Sequence, residues 1–338
     1  MDSANAQRID ELEIELRKER ELREHVEEEL RETQAELDEI RRYWKQATRE
    51  LDKLQRQGQQ SGFYQITDNY LIQLINVLRY NINNLAVQYF SEPSTIAEVH
   101  GEDTTPLSIY LRFANPRTAI RDRFLNDAEH RPTIIKAFMW KVLVTEIYGK
   151  LRWAGRSSFS LWSLQDTLKP KKDANAHWST CADTEAERKY NIWRATTVNH
   201  VLDAMDEQAK LKADEKVQQW KRKLVENIEA VIGAYRKPHA QEGYEQQLLE
   251  ILDEWLNLDK EISRQTASVE WLFQERWFNP VFDPSTMVLE KGEAPPKEKQ
   301  HISLVTSPGV VKRGKSTGED FENVALLLPM EVSCWNVA

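Results

Sequence analysis

Residues 9–57 carry an unbroken seven-residue apolar repeat, and no other stretch restricts the fold of this chain as strongly. With Ile9 at a and Leu12 at d, the a positions are Ile9, Leu16, Arg23, Leu30, Leu37, Trp44 and Leu51, and the d positions Leu12, Glu19, Val26, Thr33, Ile40, Ala47 and Leu54. Eleven of these fourteen are apolar, and no Gly or Pro occurs before Gly58. A narrow seam sustained over seven heptads predicts a left-handed coiled coil rather than one amphipathic surface helix, with a length of roughly 70 Å. In a parallel pair Glu15 meets Arg20 and Glu36 meets Arg41, whereas an antiparallel pair crowds Glu15, Glu29, Glu36 and Glu50. Arg23 and Glu19 lean out to water more easily from a dimer than from a trimer. The expectation is a parallel homodimer with Ile9, Leu12, Leu16, Val26, Leu30, Leu37, Ile40, Trp44, Leu51 and Leu54 at its interface.

At 338 residues, the chain has ample length for a real core beyond this rod. A net charge of −9 argues against non-specific nucleic-acid binding, which only a local basic patch could oppose. The two cysteines, Cys181 and Cys334, have neither metal-ligand spacing nor a disulfide framework, as expected in a reducing compartment. No apolar leader follows Met1, and the longest apolar run, Ile134 to Val144, is short and interrupted by Lys136 and Lys141. The expected setting is therefore intracellular, cytoplasmic or nuclear, with no membrane partner.

Gly58 and Gly62 end the rod, making residues 58–62 a linker. Thr67 or Asp68 can cap a helix striped by Leu71, Leu74, Ile75, Leu78, Ile82, Leu85, Ala86 and Tyr89. Helices are expected over about 118–129 and from Pro132 to Trp153, the second apolar nearly all round and so central. Residues 154–180, rich in serine and containing Lys169-Pro170-Lys171-Lys172, read as a loop. Further stripes are Trp193, Thr197, His200, Val201, Ala204 and Met205; Val217, Trp220, Leu224, Ile228, Val231 and Tyr235; and Leu248, Ile251, Leu252, Trp255, Leu258 and Ile262, with Val269, Leu272 and Phe273 continuing the last. The expected fold class is all-α: the rod over 1–57, an irregular helical domain over 63–280, and an extended linker with a C-terminal segment over 281–338. Within that segment Ile302–Val305 and Val324–Leu328 suit either a small hairpin or a tail lying on the bundle.

The sharpest motif is Gly309 to Ser316, which fits the G-x-x-x-x-G-K-[ST] phosphate-loop pattern with Lys315 as its cation. That chemistry requires a strand before and a helix after the loop, and an acidic Mg²⁺ partner; only 22 residues follow Ser316. A basic Gly-rich surface turn is the stronger reading. Arg112, Arg117, Arg121, Arg123 and Arg131, interleaved with Phe113 and Phe124, form the densest arginine group. The first four are a candidate patch for an anionic partner, against the blander alternative of ion pairs with Asp122, Asp127 and Glu129. His200, and His177 with Cys181, lack nearby further ligands, so no metal site is assigned. Nothing resembles a nucleophile elbow, and no catalytic residue or cofactor is expected.

The stretch Leu111 to Tyr148, together with Ser160-Leu-Trp-Ser-Leu164 and Ser307-Pro-Gly-Val-Val-Lys-Arg-Gly314, resembles segments of uncharacterised proteins of filamentous fungi that pair a helical domain with a basic glycine turn. The resemblance implies an intracellular fungal protein and carries no activity. The reading is a non-enzymatic interaction or scaffold protein with an unidentified protein partner. Its alternatives are a nucleotide-binding enzyme using the Gly309–Ser316 loop, and a dimeric transcription or chromatin-associated factor. The last needs a basic run ahead of the heptads, where only Arg8 is available.

Overall fold

The hydroxyl of Thr67 accepts a hydrogen bond from the Tyr70 N–H at 3.2 Å and so starts α1, Asp68–Phe90. The computed structural model describes residues 64–92, 107–115, 117–171, 183–237, 243–273, 281–293 and 300–335. The heptads of residues 9–57 lie outside these, as do His177 and Cys181. The chain divides into two units, 1–60 and 61–338, and the described residues all belong to the second.

Leu71, Ile75, Leu78, Ile82, Leu85, Ala86 and Tyr89 all turn inward from α1, as their spacing predicts. The helix packs against α8, Tyr244–Ser263, and against α4, Arg131–Glu146. With Pro132 in its first turn and nearly every side chain from Arg131 to Leu143 buried, α4 is the centre of the unit. It also meets the short helices α2, Ser108–Ala114, and α3, Thr118–Asn126. A 3₁₀ turn at Arg152–Ser157 leads into α5, Ser158–Leu168. The helices α6, Thr184–Ala204, and α7, Glu207–Ile232, start at aspartates whose carboxylates accept backbone N–H bonds, Asp183 from Ala186 at 2.8 Å and Asp206 from Ala209 at 2.6 Å.

Six strands overturn the all-α expectation. They are β1 (Ser268–Leu272), β2 (Met287–Leu289), β3 (Leu304–Ser307), β4 (Gly309–Arg313), β5 (Val324–Leu328) and β6 (Met330–Ser333). They form two three-stranded sheets in the orders β1-β4-β5 and β2-β6-β3, so among the described residues the unit is eight α-helices with two small sheets. Val269 and Leu272 belong to β1, where Val269 lies opposite Lys312 and Leu272 opposite Gly309, and do not prolong α8. Of the two segments suited to either a small hairpin or a tail, both are strands but they take different partners: β5 lies against β4, and β3 against β6. Pairing of this kind joins residues far apart in sequence, which no local periodicity registers.

Four of the strands, β3 to β6, form one long bent hairpin, with β1 added beside β4 and β2 beside β6. Pro308 separates β3 from β4 and Pro329 separates β5 from β6, so both arms change sheet at a residue that has no N–H to give a ladder. Arg79 of α1 reaches both corners. Its Nη2 donates to the Pro308 carbonyl at 2.7 Å and to the Pro329 carbonyl at 2.8 Å, while Nη1 meets Glu331 at 3.3 Å. Burial holds its pKa below the ordinary arginine value, partly offset by the Glu331 carboxylate. Apolar contact completes the junction. Val269, Leu304, Val310 and Leu328 share one core with α1, α4 and α8, and the rings of Trp140, Trp255 and Trp271 lie 4.8 to 5.7 Å apart across α4, α8 and β1.

Two other expectations give way. Residues 158–168, assigned to a loop, form α5. The side of α6 that faces inward carries Glu187, Asn191, Arg194, Ala195 and Val198, while His200 and Ala204 are exposed and Trp193, Thr197, Val201 and Met205 are half-buried. The turn between α8 and β1 leaves the Gln265 and Ala267 carbonyls to Arg194, and Glu187 faces the buried Arg313, so this side of α6 is polar.

Two outcomes follow from the Arg79 junction. A chain beginning at residue 62 and running to 338 should melt cooperatively, whereas one stopped at residue 280 should not, because β1 loses β4 and Arg79 loses both corners; circular dichroism melts distinguish them. Arg79→Met should lower stability by about 2–4 kcal/mol in urea titrations, since it strands two carbonyls and a half-buried carboxylate.

Candidate partner-binding surface

Among the described residues, Asp259 is the buried carboxylate whose pKa shifts most. The turn after α4 wraps it, with Gly149 at φ +69° and Leu151 at φ +50°, so that the Gly149 N–H donates to Oδ1 at 2.7 Å and the Trp153 indole to Oδ2 at 3.2 Å. Burial pushes its pKa up to about 7, against the pull of these donors, the Leu151 N–H and the Arg194 charge. Arg194 itself donates to the carbonyls of Gln265 at 2.9 Å and Ala267 at 3.0 Å. The Tyr148 hydroxyl donates to the Val269 carbonyl, and burial raises its pKa. Every one of these bonds ties the end of α8 and the start of β1 to neighbouring elements. Their chemistry is that of anchors.

The Gly309–Ser316 segment is equally structural. Its first five residues are β4, the middle strand of its sheet, whose backbone faces ladders on both sides. At Gly314 the chain takes φ +74° with the Phe321 ring 2.8 Å from where a Cβ would stand, so the turn needs glycine. Beyond it Lys315 pairs with Asp320, and Thr266 on the other side of the sheet donates to the Ser316 carbonyl at 2.7 Å. Arg313 meets Glu187 at 3.6 Å, both buried, and donates to the Phe321 carbonyl at 3.0 Å. Among the described residues no helix follows, and a strand takes the place of the phosphate-wrapping loop.

Among the described residues no group of three His, Cys, Asp or Glu is placed to hold a metal, and no helix is long and apolar enough to cross a membrane. Cys334 is buried, and burial with the neighbouring Glu293 charge pushes its thiol up to about 11.

The arginine group divides. Arg131, grouped with the patch in the sequence, lies inside and collects carbonyls: Leu125 at 2.5 Å, Glu92 at 2.6 Å, Tyr235 at 3.4 Å and Phe90 at 3.5 Å. It thereby closes the C-terminal ends of α1 and α3, where helix carbonyls lack partners. Arg112, Arg117 and Arg123 are exposed; Arg121 is half-buried and donates to the Asn115 carbonyl at 3.3 Å and the Thr118 hydroxyl at 3.4 Å. Buried Asn115 sets the corner between α2 and α3, accepting from the Arg117 N–H at 2.8 Å and donating to the Ser303 carbonyl at 2.9 Å. Tyr110 holds α2 on α4 through Glu146 at 2.6 Å. Outward from this corner, Ile109 is 44% exposed and Phe113 42%.

The second apolar surface is α5. Phe159 is 73% exposed, Trp162, Leu164 and Leu168 are exposed too, and the residue that turns inward is Gln165. Leu161 docks the helix on Leu151, Ala154 and Val198. At 100° per residue, Phe159 and Trp162 fall on one flank, their rings 6.0 Å apart, and Leu164 and Leu168 on the other. Ser160, Ser163 and Thr167 form the crest between them, and exposed Lys169 and Lys171 follow. Because the apolar residues straddle a polar crest, they make no single stripe, and the spacing rule that found the other helices passed over this one.

Compared with models of known protein families, with curated proteins and with solved structures, the chain matches none of them.

The Asp259 environment has a measurable consequence. Its carboxyl is raised from 3.8 to about 7, so the folded state binds the proton more tightly than the unfolded chain. The stability it contributes is complete below about pH 4 and is lost as pH rises through about 7. Urea melts should show a loss from this group of about 2 kcal/mol between about pH 5 and about pH 7. Asp259→Asn, although less stable at every pH because its amide faces the Trp153 and Leu151 donors, should show a flatter dependence over the same window. Parallel slopes would contradict this assignment.

Proposed function

We propose that the protein is a non-enzymatic interaction protein that pairs with a second copy of itself through residues 9–57 and presents its globular unit to a protein partner. The observation that carries this reading is α5, a helix of eleven residues that leaves Phe159, Trp162, Leu164 and Leu168 in water. Burying one such side chain contributes about 1.5–3 kcal/mol, so four on one helix are a strong drive toward association. The interior supports the same reading from the other side. Three ionisable groups perturbed by burial, Asp259, Tyr148 and Arg79, are bonded to backbone groups of their own chain and serve as anchors. The dimer rests on the heptads, whose charges favour the parallel arrangement.

Both halves can be measured. Light scattering should give twice the chain mass for the full chain and one chain mass for a chain begun at residue 62. Affinity purification should recover a protein with the wild type that is lost with Phe159→Ser/Trp162→Ser. Phe159→Ser alone, at a side chain 73% exposed, should weaken the capture and melt within about 1 kcal/mol of the wild type, which separates loss of contact from loss of fold. Recovery of the same proteins by both chains would remove α5 from the interface.

A further inference from the structure

We infer that the corner between α2 and α3 is a docking site for a short acidic peptide segment that carries a large apolar side chain between its carboxylates. This goes beyond the reading of α5 and stands apart from it, since it concerns a different surface and commits to the chemistry of the occupant.

Ile109, Arg112 and Phe113 are spaced i, i+3, i+4 and share the outward side of α2, while Tyr110, Leu111 and Ala114 of the same helix pack on the core. Two apolar side chains thus stand beside a guanidinium. Around the corner, Arg117 and Arg123 are exposed on α3, with Arg121 held half-buried between them. Arg117 and Arg123 also make contacts within their own chain, so the inference rests on their exposure and charge. One exposed acid of α3, Asp122, lies among them. Asn115 bonds the Arg117 N–H and the Ser303 carbonyl before β3, and Tyr110 ties α2 to Glu146, so the residues on either side of the corner are held to the rest of the unit.

Charge selects the occupant. The chain carries −9 overall, and this concentration of exposed arginine is a local exception to it. A long polyanion such as a nucleic acid would feel the whole acidic molecule, whereas a short segment meets only groups within about 8–10 Å, the distance over which salt screens charge. Guanidinium forks bind carboxylates through two parallel N–H bonds. Ile109 and Phe113 require apolar side chains opposite them, which a phosphate backbone does not supply. An acidic segment with an apolar anchor answers both requirements.

The test starts from the immobilised full chain and a displayed library of random peptides of about twelve residues. Selected peptides should be rich in Asp and Glu around a Leu, Phe or Trp. A synthetic copy of the best one, followed by fluorescence anisotropy, should bind at least about ten-fold more weakly to Arg112→Glu/Arg117→Glu and to Phe113→Ser, with both variants keeping the wild-type melting temperature. Its affinity should also fall several-fold between about 50 and about 300 mM NaCl. Failure to select any peptide, selection without acidic residues, or binding indifferent to these substitutions would overturn the inference. Tighter binding of an oligothymidylate of about twelve nucleotides would overturn it in favour of single-stranded nucleic acid. Because α5 is untouched in both variants, loss of the peptide with retention of the α5-dependent partner, or the reverse, separates the two surfaces.

Discussion

The guanidinium of Arg79, bonded at once to the carbonyls of Pro308 and Pro329, is the interaction on which the mixed architecture depends. A hairpin that changes sheet on both arms cannot satisfy its corner carbonyls by ladder bonds, because proline interrupts the ladder there. Only a planar donor with several N–H groups can reach two such corners from one helix. Arg79 thereby sets how α1 lies on the strands, and through α1 how α8 and α4 lie on them as well. The same device recurs at other joints. Arg131 closes the ends of α1 and α3, Arg194 holds the turn between α8 and β1, and Arg313 holds the turn between β4 and β5. Each replaces the missing partners of backbone groups where an element stops, which is costly to leave undone inside a protein.

This use of charge bears on function. In a catalytic centre, buried titratable groups converge on a space that a substrate can enter. Here Asp259, Tyr148 and Arg194 converge on backbone atoms and on one another, and their burial serves the fold. The surface is the contrasting part. It leaves four large apolar side chains of α5 and two of α2 in water, the second pair set among arginines. This uncovered apolar area is what the proposed association would use.

Some of the fold is legible in particular residues. The stripes of α1 and α8 emerge at their predicted positions, and α4 is buried on all sides, as its composition requires, because burial on a helix face leaves a mark every three to four residues. The seam of α7 from Leu224 to Val231 is found in the same way. For α6 the rule misleads: the residues that look like a stripe lie at its side, while Glu187, Asn191 and Arg194 point inward. Local pattern reads these as solvent residues, since two of them find partners far along the chain, Arg194 at the Gln265 carbonyl and Glu187 at Arg313, while Asn191 donates to the Glu187 carbonyl one turn back. The candidate surface divides likewise. Arg112, Arg117 and Arg123 are visible as a group, but the departure of Arg131 into the core and the helical form of α5 are not.

The sequence by itself determined which segments are long amphipathic helices, that α4 is central, and that the first helix starts at Thr67 or Asp68, because each depends on neighbours within a few residues, whereas the surface turn it suggested over Gly309–Ser316 is a largely buried strand as far as Arg313. Tertiary structure alone decided that Val269 to Leu272 become a strand beside β4, that the hairpin bends at Pro308 and Pro329, and which arginines face water. Those outcomes rest on bonds between residues that the chain must first bring together, as α1 and the two proline corners are brought together across more than two hundred residues. Side-chain spacing along the chain records what a segment can bury. It holds no record of which distant carbonyl a guanidinium will find.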